Sequence, residues 1–188
     1  MADEIEYVLI RSKRRTVSIQ ISKDGEVIVR APLRHPKYKI DRFVLDNEKW
    51  IDSHRQKVLE RNERREALPQ LTQAEIDALK KEARPYLKEV ADYYAGIIGV
   101  KYARMSIRAQ KSRWGSCSKD GNLNFNCLLM LTPPEVRHYI VVHELCHLKE
   151  MNHSPRFWSL VENVIPTYKK QRAWLRKEGS DLISRLPK

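Results

Sequence analysis

The chain has 188 residues with 36 Lys plus Arg against 24 Asp plus Glu, a net charge of +12 and 41% hydrophobic content. This length and apolar content support one domain, 1–188, with a normal core, in which a hairpin-and-helix lobe over 1–70 precedes a core region over 71–188. Cys117, Cys127 and Cys146 form no C-x-x-C pair and exclude a disulfide scaffold, while the longest uncharged stretch, 121–134, falls short of the ~20 apolar residues a membrane span needs.

The chain opens Met1-Ala2-Asp3-Glu4-Ile5-Glu6, too acidic for a secretory signal, so a soluble, reducing, cytoplasmic setting is expected. Val17, Ile19 and Ile21, then Val27, Val29 and Ala31, alternate with polar residues around Lys23-Asp24-Gly25, which predicts a hairpin. A two-residue loop would put the two apolar sets on opposite faces. A three-residue loop with Gly25 left-handed pairs Ile21 with Val27 and keeps them together, so it is the preferred register.

Ile40, Phe43, Val44, Trp50, Ile51 and Val58 follow a helical period from about Lys37 to Arg65, ahead of Pro69. Thr72-Gln73-Ala74-Glu75 is a capping box that opens a second helix, running to about Ile98 and carrying Pro85. Its stripe is Ile76, Leu79, Ala83, Leu87, Val90 and Tyr94.

Met105–Cys117 and Asn122–Met130 flank Lys119-Asp120-Gly121 as a second hairpin. Trp114-Gly115-Ser116 is the candidate substrate-facing strand, because a glycine there admits a close backbone and an edge strand can pair with an extended peptide. The alternative makes Gly115 a bulge and Trp114 a core residue. Asn124 and Asn126 share the less apolar face, where they either orient a substrate or histidine or simply meet solvent.

Thr132-Pro133-Pro134-Glu135 reads as another capping box with a helix starting at Pro133. Val136, Tyr139, Ile140, Val141, Val142, Leu145, Cys146 and Leu148 leave almost no polar stripe, as in a helix buried on most sides. Within it stands His143-Glu144-Leu145-Cys146-His147. Imidazoles at i and i+4 share one helix face, and zinc accepts neutral histidine nitrogens at roughly 2.0–2.1 Å. A metal also satisfies two polar rings brought into an apolar interior.

Beyond Lys149 the chain turns polar. Asn152 fits a left-handed helix end, and Ser154-Pro155 fits the N-cap and first position of another helix. His153, on that corner, is the first choice of third ligand, with Glu162 on the next helix and Glu150 as rivals. Three protein ligands leave a position for water, lowering its pKa towards 7 so that Glu144 can take its proton. Arg156, Tyr168 and Arg172 are candidates for stabilising the resulting oxyanion. Cys146 is expected to be a small packed residue, and His138 a surface one.

The spacing of the third histidine fits a metzincin, but Glu150 occupies the glycine position of that pattern and no methionine follows His153. The sequence instead resembles the YgjP-like metal-dependent hydrolase family. The resemblance is carried by Arg113-Trp114-Gly115-Ser116-Cys117, by Leu123-Asn124, by the His143–His147 motif and by His153-Ser154-Pro155-Arg156-Phe157-Trp158. The Arg11–Pro32 hairpin fits as well, so nearly the whole chain is covered. SprT-like and WLM-type proteases share only the His-Glu-x-x-His motif and the trailing histidine.

The resemblance implies an α+β, zincin-like metallohydrolase with an N-terminal β-hairpin, long helices, a small antiparallel sheet and a buried His-Glu-x-x-His helix. It implies one zinc per chain on His143, His147 and His153, with Glu144 as base. The candidate substrate residues are Arg113, Trp114, Gly115, Ser116 and Asn124. Family members are described as metallopeptidases or metal-dependent hydrolases, and nucleotide pyrophosphatase activity has been attached to the family. Peptide and nucleoside triphosphate therefore both stand as substrate classes, with Arg108, Lys111 and Arg113 available to triphosphate.

Basic clusters at Arg11–Arg15, Arg104–Arg113 and Lys169–Lys177 add a possible polyanion or nucleic-acid contact. Glu144 weighs against a purely structural zinc, since a closed four-ligand site needs no carboxylate beside its first histidine.

Overall fold

The computed structural model describes residues 5–187, so the acidic opening over 1–4 lies outside the described residues. The chain divides into two compact units, Met1–Ala67 and Leu68–Lys188.

In the first unit, β1 (Val8–Ser12) pairs parallel and β2 (Ser18–Ile21) antiparallel with a central β3 (Val27–Pro32). Ile21 faces Val27 and Gly25 has φ +85°, the expected three-residue loop. That register puts Val27, Val29 and Ala31 on one face, where they are buried with Ile40, Val44 and Ile51. The Arg11 guanidinium, through Nη1, donates to the carbonyls of Pro32, Leu33 and His35 and ties down the end of β3.

The single helix expected over 37–65 is two helices, α1 (Lys37–Asp46) and α2 (Glu48–Glu66). Asn47 breaks them with φ −110°, ψ 12°, and its amide donates to the Phe43 carbonyl, ending the α1 ladder. Ile51 is the buried residue of α2, whereas Trp50 is exposed and stacks on His54.

The second unit starts with α3 (Gln73–Ile98), whose N-terminus carries the predicted capping box: Glu75 N–H donates to Thr72 Oγ1 and Thr72 N–H to Glu75 Oε2. A second sheet follows, in the order β4 (Arg104–Arg108), β6 (Asn122–Asn126), β5 (Gly115–Cys117). The antiparallel β5–β6 hairpin is present but short, and β4 pairs parallel with β6 on its other side, so the sheet is mixed.

Asn126 explains the difference. Fully buried, it donates to the carbonyls of Gln110 and Arg113, looping out the segment between β4 and β5, and accepts from Leu128 N–H to start a 3-10 turn over Cys127–Leu131.

Leu123 and Phe125 face inward on β6 and are buried together with α3 and with α4 (Pro134–Cys146). The apolar α4 is indeed buried on most sides: Val136, Tyr139, Ile140, Val141, Val142, Leu145 and Cys146 are all in the core. Its cap is not the expected one. Thr132 is buried with its hydroxyl donating to the Leu129 carbonyl, which closes the 3-10 turn, and no side chain caps α4. Two more helices complete the unit, α5 (Pro155–Val164), capped by Ser154 as expected, and α6 (Tyr168–Ser184). None of the described helices is long and apolar enough to cross a membrane.

Candidate metal centre

The α4 helix ends at Cys146, with His147 as its C-cap, earlier than the polar Lys149–Asn152 stretch suggested. No non-glycine residue among those described has positive φ, so Asn152 does not end the helix in a left-handed turn. The cause lies at His147, whose Nδ1 is 3.1 Å from the Glu150 carbonyl. A ring N–H donating there folds the chain back and leaves Nε2 with its lone pair.

The same turn brings His153 over the end of α4. His143, His147 and His153 each offer a ligand atom within 4.8 Å of the others, and Nε2 of His143 faces Nε2 of His153 at 3.0 Å. Two ring nitrogens directed at each other, with a third close by, are a donor set of the kind that holds zinc. A buried, unpartnered Nδ1 on His143 fits the same picture, since a proton there frees its Nε2. The three residues therefore fit a divalent metal.

Neither rival third ligand joins the cluster. Glu150 contributes its backbone carbonyl to His147. Glu162 is exposed and pairs with Lys169 at 3.4 Å.

Aromatic rings from α5 fix the imidazoles. Phe157 stacks on His147 at 4.5 Å and meets His143 edge-on at 4.9 Å, while Trp158 stacks on His153 at 5.5 Å. Sequence reasoning gave these two residues no role in the site. The signal was their place four and five residues after His153 on a helix opened by Ser154-Pro155, so that the third histidine and its packing partners move as one piece. Burial is the main reason the His143 pKa falls to about 3, with His147, His153 and Arg172 adding positive neighbours; the ring is neutral at pH 7, as a ligand must be.

Glu144 points the other way around α4, towards β5. It is 5% exposed, and a Cβ placed on Gly115 would lie 2.7 Å from its Oε1 and 2.8 Å from its Cγ. Gly115 is thus a close-approach glycine rather than a bulge, paired in register with Phe125. Burial raises the Glu144 pKa to about 8, opposed by the positive charge of Arg113. Cys117, on the same face of β5, is pushed up to about 11 by burial first and Glu144 second. Cys146 is buried and likewise raised to about 11, an inert packed thiol as expected.

The remaining sequence candidates separate. Trp114 is half-buried against α6, its ring 3.2 Å from where a Gly179 Cβ would be, so it packs on the core. Ser116 pairs with Asn124 on the opposite face of the sheet from Gly115. Asn124 accepts from Ser106 and donates to Gln110 Oε1; these bonds brace the sheet. Tyr168 is buried between Trp158 and Tyr139, and Arg172 lies over Trp158. His138 is half-buried rather than at the surface, its two ring nitrogens 3.2 Å from the hydroxyls of Tyr86 and Tyr94.

A family model described as YgjP-like, metallopeptidase domain, matches residues 15–76 and 67–178. The chain belongs to the YgjP-like family. Its α+β fold, with the His-Glu-x-x-His helix at the centre of the second unit, is that of a metallopeptidase domain, and the protein is a metal-dependent hydrolase. Among solved structures, the YgjP-like chain is similar to the metallopeptidase zymogen abylysin of Pyrococcus abyssi, with 28% identity and a TM-score of 0.44, over 48% of this chain and 93% of that one. The metallopeptidase zymogen jannalysin of Methanocaldococcus jannaschii is similar at 21% identity and a TM-score of 0.44, over 49% of this chain and 95% of that one. No curated protein matches the chain.

Proposed function

We propose that this YgjP-like protein is a zinc-dependent peptidase in which His143, His147 and His153 hold the ion and Glu144 is the general base. One observation carries the reading: Glu144, adjacent to the first imidazole of the triad, is buried directly against Gly115 of the edge strand β5.

Hydrogen bonding in the sheet supports a peptide substrate. Trp114 C=O accepts from Asn126 N–H, and Ser118 N–H donates to the Asn122 carbonyl. Alternation in an antiparallel pair then turns the backbone groups of Gly115 and Cys117 away from β6, towards the open edge. An extended peptide pairing with that edge passes beside the Glu144 carboxyl.

A zinc ion supplies Lewis-acid activation of the water and of the scissile carbonyl. Glu144 accepts the proton of the attacking water at a carboxylate oxygen and delivers it to the leaving amine. Its apolar surroundings keep the pair of proton positions close in energy, and Arg113 favours the ionised form that accepts. Gly115 keeps the strand close enough for the substrate carbonyl to meet that carboxylate. The three unbridged cysteines support a reducing, cytoplasmic setting.

The test is cleavage of casein-derived peptides by zinc-loaded protein, with Glu144→Gln as blank. Peptide cleavage lost in the blank is the expected result. Hydrolysis of a nucleoside triphosphate alone, equally sensitive to Glu144→Gln, would overturn the peptidase assignment.

A further inference from the structure

The aromatic layer over the histidines ends in a cation. On α6, Tyr168 and Arg172 are one turn apart, and both meet Trp158: the Tyr168 ring stacks on the indole at 5.3 Å and the Arg172 guanidinium carbon lies 4.7 Å from its centroid. Trp158 in turn is 5.5 Å from the His153 ring and 5.8 Å from that of His143. Arg172 and two of the three imidazoles therefore contact the same indole.

Its charge is left over. Among the described residues no carboxylate pairs with Arg172, whereas Lys169, one turn before α6 reaches it, is already engaged with Glu162. The contact holds the guanidinium over the indole while its N–H groups donate to no acceptor among the described residues, which leaves them available for two-point recognition of an oxoanion. The side chain is exposed, so it can meet a ligand from solvent.

We propose that Arg172, held over Trp158, is the anion-recognition residue of the site and grips an oxoanion group of the substrate beside the three histidines. Resting on the peptidase reading, this makes the substrate class a peptide with a carboxylate, from an acidic side chain or a free C-terminus, close to the scissile bond. A phosphate group presents the same chemistry, and the experiment separates the two sources. The role differs from stabilising a reaction oxyanion, because it acts on ground-state binding.

The measurement is calorimetric titration of zinc-loaded Glu144→Gln protein, which binds without turning over. The probes are two N-acetylated, C-amidated hexapeptides that differ only in Asp against Asn, a third matching the Asn peptide but with a free C-terminus, and ATP. At least one carboxylate peptide is expected to bind about tenfold tighter than the neutral one. Adding Arg172→Gln removes that gap; adding Lys170→Gln, an exposed cation on the same helix, keeps it. ATP binding that depends on Arg172, with no gap among the peptides, supports the recognition and assigns its source to phosphate. A gap that survives Arg172→Gln, or one lost equally in Lys170→Gln, overturns the proposal, as does the absence of any Arg172-dependent anion binding. Since the readout needs no catalysis, Arg172-dependent carboxylate binding in a protein that cleaves no peptide would sink only the peptidase reading. Peptide cleavage without such binding would sink only this one.

Discussion

Oε1 of Glu144 is the atom nearest to where a Cβ on Gly115 would stand, 2.7 Å away, with Cγ and Cδ of the same side chain next. The contact joins the carboxylate of the His-Glu-x-x-His helix to the edge strand β5. Gly115 has no left-handed backbone, so a methyl group there acts first on Glu144, which supplies its three nearest atoms. Gly115→Ala should fold and keep its zinc while kcat/KM falls about 100-fold, the scale set by a displacement of ~1 Å in a reacting group. Steady-state kinetics with metal analysis checks this, and an unimpaired variant would show that the close approach has no catalytic use.

Glu144→Gln preserves the shape of the buried side chain and removes its ability to take a proton. Turnover should drop by about 10²–10⁴-fold with zinc content unchanged. Near-parental kcat would take the base role from Glu144.

Removing a ligand should act on the metal first. His143→Ala, His147→Ala and His153→Ala should each weaken zinc binding by more than the ~10–100-fold that loss of an outer partner costs. Competition with a chelator measures it. His153→Ala is the decisive variant, because His153 is the exposed member of the cluster. Unchanged affinity there would return the third position to a carboxylate.

Asn126 is the polar keystone of the second sheet. Its amide satisfies two carbonyls of the loop that leads into Trp114 and β5, and its oxygen caps the following 3-10 turn. Asn126→Ala should cost about 2–3 kcal/mol by denaturant unfolding, because two part-buried carbonyls lose their donor and the buried Leu128 N–H loses its acceptor. A neutral effect would mean that the loop finds other partners.

These residues also mark where the sequence was legible. The register of the first hairpin followed from period-two apolar alternation plus one glycine, and the α3 start from a four-residue capping box; both are local rules. The approach of His143, His147 and His153 was readable because a metal demands donors at set spacings. What could not be read depends on partners distant in sequence. Thr132 heads a sound capping box, yet its hydroxyl serves the preceding turn. The bend at Asn47 needs a single amide-to-carbonyl bond within one long apolar period. The parallel β4 needs Asn126 to loop out the residues before β5, and the reason for Gly115 is a side chain 29 positions away.

Opposed titrations at the centre predict the stability of the metal-free protein against pH. Glu144 rises from 4.5 to about 8, so between those values the folded state holds a proton that the unfolded chain has released, and stability falls as pH rises. His143 drops from 6.5 to about 3, so between those values the unfolded chain holds the extra proton, and stability rises with pH. His138 and His147, also lowered by burial, act in the sense of His143. From 4.5 to 6.5 the slopes of Glu144 and His143 oppose one another; above 6.5 the histidines no longer titrate in the unfolded chain, and only Glu144 remains. Chelated protein should therefore lose about 2 kcal/mol between pH 6.5 and pH 8. Glu144→Gln should flatten that limb and steepen the rise between pH 4.5 and 6.5, where its slope no longer opposes that of His143. Chelation is required because a bound cation favours the carboxylate. Urea unfolding at half-unit pH steps reads both limbs, and an identical alkaline slope in the variant would show that Glu144 ionises in the folded state as freely as in the unfolded one.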